Sequence, residues 1–173
     1  PQQTADIVGA FDPENQQFKT YAPFSQAVAV LGGGPYSYFR YEQHLALQRA
    51  LDIYPEVANQ FHRRFGRRYE MLENYQIDDA DYVFVMINSF ASKARDAVNS
   101  LRAAGIRAGL MRPRMLRPLP AGQIRQSLSG RRAVAVIDQN ISMGMGGVLY
   151  SELAMALYGS DRAPLLASYI GGL

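Results

Sequence analysis

The sequence predicts an α/β protein built on a doubly wound, mostly parallel sheet, preceded by an irregular N-terminal arm and a helix. Three observations carry this. From residue 81 onward, short apolar runs alternate with stretches of helical periodicity. Gly, Pro or Ser stands at the junctions between them. A length of 173 residues, 48% hydrophobic and 19% charged, suffices for one sizeable core and an appendage, and is short for two full domains.

Residues 1–41 hold Pro13, Pro23, Pro35 and Gly32-Gly33-Gly34 with little periodicity, and predict an irregular linker arm. Its aromatic residues, Phe18, Tyr21, Phe24, Tyr36, Tyr38, Phe39 and Tyr41, are too many for a disordered tail, so the arm is expected to pack on something. Residues 42–69 predict a connecting helix: Leu47, Leu51, Tyr54, Ala58 and Phe61 recur at spacings of three and four, Pro55 should break or kink it, and Gly66 suits its end. Residues 70–173 form the α/β domain. "DYVFVMI" (81–87) predicts the first strand, and "SFASKARDAVNSLRAAG" (89–105) a helix capped by Ser89 and closed by Gly105. "IRAGLM" (106–111) predicts the second strand, and "PLPAGQIRQSLSG" (118–130) a short helix with Pro120 in its first turn. "RAVAVID" (132–138), "GGVLYSELAMALYG" (146–159) and "PLLASYI" (164–170) predict the third strand, the third helix of this domain and the fourth strand. Right-handed crossovers between these strands lead to a flavodoxin-like sheet covered on both faces.

Composition narrows the function. A net charge of +3, from 18 basic and 15 acidic residues, is too small and scattered to point to nucleic acid. No apolar run approaches the roughly 20 residues of a membrane span, so neither a membrane nor a nucleic-acid partner is expected. The absence of cysteine excludes disulfides, thiolate catalysis and iron–sulfur ligation by this chain. The opening "PQQTADIVGAF" lacks an initiator Met and a signal pattern, and the terminal "SYIGGL" stops directly after an apolar run. Both ends therefore read as cut from a longer polypeptide.

Ligands of an open parallel sheet bind beyond the carboxyl ends of its strands, and three segments gather there. "INSFAS" brings Ser89 and free amides at a helix start. "MRPRMLRPLP" places Arg112, Arg114 and Arg117 in a proline-stiffened loop, where guanidinium forks suit carboxylate or phosphate. "DQNISMGMGG" offers Asp138, Asn140, Ser142 and the glycines Gly144, Gly146 and Gly147. Ser89, Arg112, Arg114, Gly144, Gly146 and Gly147 together make a candidate anion site. Against it, the glycine spacing matches neither G-x-G-x-x-G nor a P-loop, and glycine is also what a tight turn beneath a packed helix requires. For the arginines, a subunit contact or salt bridges to the arm compete with a ligand role. His44 and His62 lack a catalytic partner at a recognisable spacing, and Asp78, Asp79 and Asp81 suit a turn better than a metal. No catalytic residue and no cofactor-binding motif is identified.

The ordered succession "FRYEQHLALQRAL", "FGRRYEMLENYQIDDADYVFV", "AGIRAGLMRPRMLRPLP", "AVAVIDQNISMGMGGVLYSEL" and "YIGGL" closely resembles the C-terminal half of the alpha subunit of pyruvate and related 2-oxoacid:ferredoxin (or flavodoxin) oxidoreductases. The resemblance runs from about Phe39 to Leu173 and covers that family's domain II, a transketolase-C-terminal-like domain. It implies a cytoplasmic holoenzyme that oxidatively decarboxylates a 2-oxoacid, most simply pyruvate, with coenzyme A as co-substrate. The holoenzyme would carry thiamine diphosphate, Mg2+ and 4Fe–4S clusters, and would pass electrons to ferredoxin or flavodoxin. On this resemblance the chain is a structural and assembly domain, inactive alone, whose partners are the other subunits or domains. The family continues beyond "IGGL", so the domain reads as truncated at its C-terminus. The alternative is a stand-alone flavodoxin-like module that binds an anionic nucleotide, a coenzyme-A-type ligand or a protein partner.

Overall fold

The computed structural model describes residues 33–171. Phe18, Tyr21, Phe24, Pro13 and Pro23 lie outside them. The described chain begins with a 33-residue helix, α1 (Gly33–Phe65), about 50 Å long. The expected irregular arm thus gives way to helix at Gly33, so that the last nine residues of the stretch expected to be irregular, 33–41, are helical. Pro55 lies within α1 and the helix runs on through it without a break. Gly66, at φ 68°, ends it by donating its N–H to the carbonyl of His62 at 2.8 Å.

The remaining order is β1 (Leu72–Tyr75), β2 (Tyr82–Val85), α2 (Phe90–Ala103), β3 (Ala108–Pro113), α3 (Ala121–Leu128), β4 (Ala133–Asp138), α4 (Val148–Leu157) and β5 (Leu165–Ile170). The sheet runs β1-β3-β2-β4-β5. The four expected strands are all present and mutually parallel, in the flavodoxin-like order with the switch point between β2 and β4. A fifth strand, β1, was not expected. Its four residues, "LENY", carry no apolar run, and it exists by pairing antiparallel with β3, Glu73 opposite Arg112.

The local chemistry explains the junctions. At the end of α2, Gly105 at φ 83° donates to Arg102 O and Ile106 donates to Leu101 O, a glycine-terminated cap that turns the chain toward β3. Ser89 stands at the start of α2, but its backbone is already helical (φ −68°, ψ −24°), so its hydroxyl makes no capping bond. Pro120 sits at the cap position of α3, immediately before the first turn.

Helices α3 and α4 cover one face, where Val83, Val85, Val134, Val136, Ile124 and Leu153 are fully or almost fully buried. Helix α2 covers the other face with Ala91, Ala94 and Val98 against Ala108 and Leu110. Among the described residues that second face is incompletely covered, whereas a sheet covered on both faces was expected. One helix spans only part of it, and a cavity of about 550 Å3 opens over Phe84, Ala133, Ala135, Leu165, Ala167 and Tyr169. Leu165 is 72% exposed there.

Helix α1 packs sparsely on this domain. The Tyr54 hydroxyl reaches Glu70 O at 3.4 Å, and the Phe61 ring lies 5.5 Å from that of Tyr69. Leu51, Tyr54, Ala58 and Phe61 of the predicted stripe are half-buried, whereas Leu47 and the aromatics Tyr36, Tyr38, Phe39 and Tyr41 remain exposed.

Candidate functional site

The carboxyl edge of the sheet brings the three predicted segments to one end of the fold, but it does not assemble them into one site. The glycine segment is occupied by the protein itself. Asp138, the last residue of β4 and 2% exposed, receives the N–H of Leu149 at 3.0 Å and of Tyr150 at 3.2 Å. An internal carboxylate thus takes the position that a phosphate would occupy at the α4 N-terminus, satisfying its free amides and its positive dipole end. Gly147 makes room for it. Upstream, Ser142 O accepts from both Met145 and Gly146, and Ser142 donates to Gly146 O at 2.8 Å, so Gly144 and Gly146 belong to a closed turn. Their φ values of 79° and 92° explain the glycines.

The arginines lie among carboxylates of their own domain. Arg117 pairs with Glu152 of α4, with Nη1 at 2.6 Å from Oε2. This bond, reinforced by the carboxylate charge, raises the Arg117 pKa. A cavity of about 240 Å3 opens between them at the switch point, lined by Ile87, Leu116, Asp138, Asn140 and Leu149. Beside it, Arg114 and Arg95 both hydrogen-bond Glu73 of β1, and Arg112 lies 3.6 Å from the same carboxylate. Burial would raise the Glu73 pKa, but the hydrogen bonds and charges of Arg95 and Arg114 outweigh it and hold the carboxyl below its ordinary value. Arg114 also stacks on Tyr69, 4.7 Å from the ring centre. Among the described residues these arginines pair with β1 and α4, because tertiary folding brings Glu73 and Glu152 to the loop; the acidic residues of the arm expected as an alternative partner, Asp6, Asp12 and Glu14, lie outside the described residues.

A second cavity, of about 520 Å3, is lined by Tyr69, Asn88, Arg112 and Arg114 among others. Of the six predicted anion-site residues, only Arg112 and Arg114 share it. Ser89 is exposed beside it, and its neighbour Asn88, at φ 61°, lines it instead. Glu73, Tyr69, Asn88 and Glu152 were not singled out by the sequence. Glu73 lies 22 and 41 residues from the arginines that hydrogen-bond it, Arg95 and Arg114, and Glu152 lies 35 from Arg117, so no local motif marks them.

The acidic triplet is structural. Asp79 pairs with Arg102 and Asp81 with Arg107 at the opposite end of the strands. Among the described residues no three His, Cys, Asp or Glu side chains are grouped to hold a metal.

Residues 80–173 match the family model described as "Pyruvate:ferredoxin oxidoreductase core domain II". The ketoisovalerate oxidoreductase subunit VorA of Pyrococcus abyssi is 34% identical over 172 residues, covering 97% of this chain and 44% of that protein. The pyruvate synthase subunit PorA of Thermotoga maritima is 36% identical over 132 residues, covering 76% of this chain and 34% of that protein. A solved 2-oxoglutarate:ferredoxin oxidoreductase from Magnetococcus marinus aligns with a TM-score of 0.45 at 21% identity, covering 66% of this chain and 20% of that one. The chain thus spans less than half the length of these curated relatives. On the match from Ala80 to Leu173, the chain belongs to the pyruvate:ferredoxin oxidoreductase core domain II family.

Proposed function

We propose that this chain is a structural and assembly domain of a thiamine-diphosphate-dependent 2-oxoacid:ferredoxin oxidoreductase, without catalytic activity of its own. The observation that carries this reading is the apolar surface the domain leaves uncovered. Tyr36, Tyr38, Phe39 and Tyr41 are each roughly half exposed or more along the first turns of α1. A helix start that carries exposed aromatic residues around its circumference, with none of them buried among the described residues, is suited to burial against another protein. Family membership supplies the partner class: the other subunits or domains of the same enzyme.

With no cysteine, this chain cannot ligate an iron–sulfur cluster, and its described residues offer no carboxylate group arranged for Mg2+ and a diphosphate. On this reading thiamine diphosphate, Mg2+, the 4Fe–4S clusters and the co-substrate coenzyme A belong to the holoenzyme as a whole, with ferredoxin or flavodoxin accepting the electrons. Pyruvate is the substrate we assign. The names of the relatives carry both pyruvate and ketoisovalerate, so the choice between 2-oxoacids is expected to lie outside this domain.

The test is anaerobic recovery of the native protein with its associated chains, followed by coenzyme-A-dependent viologen reduction with pyruvate and with 2-oxoisovalerate. Thiamine diphosphate, iron and activity in the recovered complex are the expected result. Recovery of a lone protein without iron or thiamine would overturn the assignment.

A further inference from the structure

We infer that the cleft between Tyr69, Arg112 and Arg114 binds the phosphate group of a small organic ligand, independently of the assembly role proposed above. Charge is the first argument. Arg95, Arg112 and Arg114 surround the single carboxylate of Glu73, and no second carboxylate pairs with any of them among the described residues. Among the described residues the three guanidiniums thus outnumber their carboxylate by two charges, and Arg112 and Arg114 are only 28% and 23% exposed. Three guanidiniums about one carboxylate leave a local positive potential that attracts a further anion.

Donor geometry is the second. Arg114 is fixed from two sides, by its bond to Glu73 and by the Tyr69 ring. Arg112 is different: at 3.6 Å it is in ionic contact with Glu73 but makes no hydrogen bond among the described residues, so its five N–H donors are unspent. A held guanidinium beside one with free donors is a preorganised fork for a tetrahedral oxyanion.

The third argument is position. The cleft, about 520 Å3, lies beyond the carboxyl ends of β2 and β3, where ligands of open α/β sheets bind. Ile87 and Leu116 provide apolar walls for a larger body attached to the anion. Asn88 lines the cleft in the left-handed region, at φ 61°, a backbone conformation that recurs at binding sites. The two guanidiniums that line the cleft, Arg112 and Arg114, suit a phosphate monoester or diphosphate, whose several oxygens can accept from both.

Titration calorimetry of the full-length subunit in its native complex, at fixed ionic strength, tests this with inorganic phosphate and pyrophosphate as probes. Saturable binding is expected, weakened at least tenfold by Arg112→Gln and unchanged by Arg107→Gln, an exposed arginine at the far end of the sheet. Arg112→Lys, which keeps the charge but loses the fork, should fall between wild type and Arg112→Gln. Absence of saturable binding by wild type, or equal weakening by the Arg112 and Arg107 variants, would sink the proposal. So would loss of partner subunits from the Arg112→Gln complex without any phosphate binding by wild type, since a partner's carboxylate would then be the cleft's occupant.

Discussion

The carboxylate of Asp138 lies directly over the α carbon of Gly147, so that a Cβ at residue 147 would stand 2.7 Å from the Asp138 Cγ. The same carboxylate receives the N–H groups of Leu149 and Tyr150 and closes the N-terminus of α4. The φ of −68° at Gly147 would suit any residue, so space alone demands glycine there. Gly147→Ala should destabilise the domain by about 1 to 3 kcal/mol, and Asp138→Ala by a similar amount. Because the clash requires the carboxylate, the double variant should cost less than the sum of the single ones by about 0.5 kcal/mol or more. Denaturant unfolding of all four proteins measures this, and strict additivity would refute the relationship.

Glu73 links β1 to the arginine loop and titrates below its unfolded value. A carboxyl shifted this way stabilises the fold fully above its unfolded pKa, near about 4.3, and progressively less as pH falls through the folded value. Glu73→Gln should therefore cost roughly 1 to 2 kcal/mol at pH 7, and the difference from wild type should shrink below about pH 4. Urea midpoints taken between pH 3 and 8 report both features; a difference that does not vary with pH would exclude an ionised Glu73 as the cause.

Leu153 is fully buried between α4 and the sheet. Leu153→Ala leaves a cavity in a face already closed by two helices and should cost about 2 to 5 kcal/mol. Thermal unfolding gives the comparison, with exposed Met155→Ala, two residues along the same helix, expected to lie within about 0.5 kcal/mol of wild type.

If α1 is an assembly element, polar substitution of its exposed aromatics will act on association and leave the fold intact. Tyr38→Ser with Phe39→Ser should weaken subunit association by about tenfold or more. The unfolding midpoint of the α/β domain should stay unchanged. Sedimentation analysis across a dilution series distinguishes the two effects, and unaltered association would remove α1 from the interface.

Much of the fold was legible because its signals are local. The runs "YVFV" and "AVAVID" are apolar over the length of a buried strand, and Gly66 and Gly105 mark helix ends by a conformation that glycine adopts at little cost. The extension of α1 back to Gly33 was masked by Pro35 and the glycines, yet Pro35 falls in the first turn, where its missing N–H has no intrahelical partner to lose. Strand β1 was invisible for the opposite reason: "LENY" has little strand character by itself and is specified by its register against β3.

The candidate site divides along the same line. Sequence by itself determined which groups are available at the carboxyl edge, an arginine-rich loop and a glycine turn, because residue type and strand order follow from local pattern and chain connectivity. Tertiary structure decided what those groups do. It sets Asp138 at the helix N-terminus, where a bound phosphate had been the competing possibility, and it draws Glu73 and Glu152 to Arg114 and Arg117 across 41 and 35 residues. Electrostatic pairing depends on distance in space, and no periodicity along the chain encodes which carboxylate a loop arginine will meet.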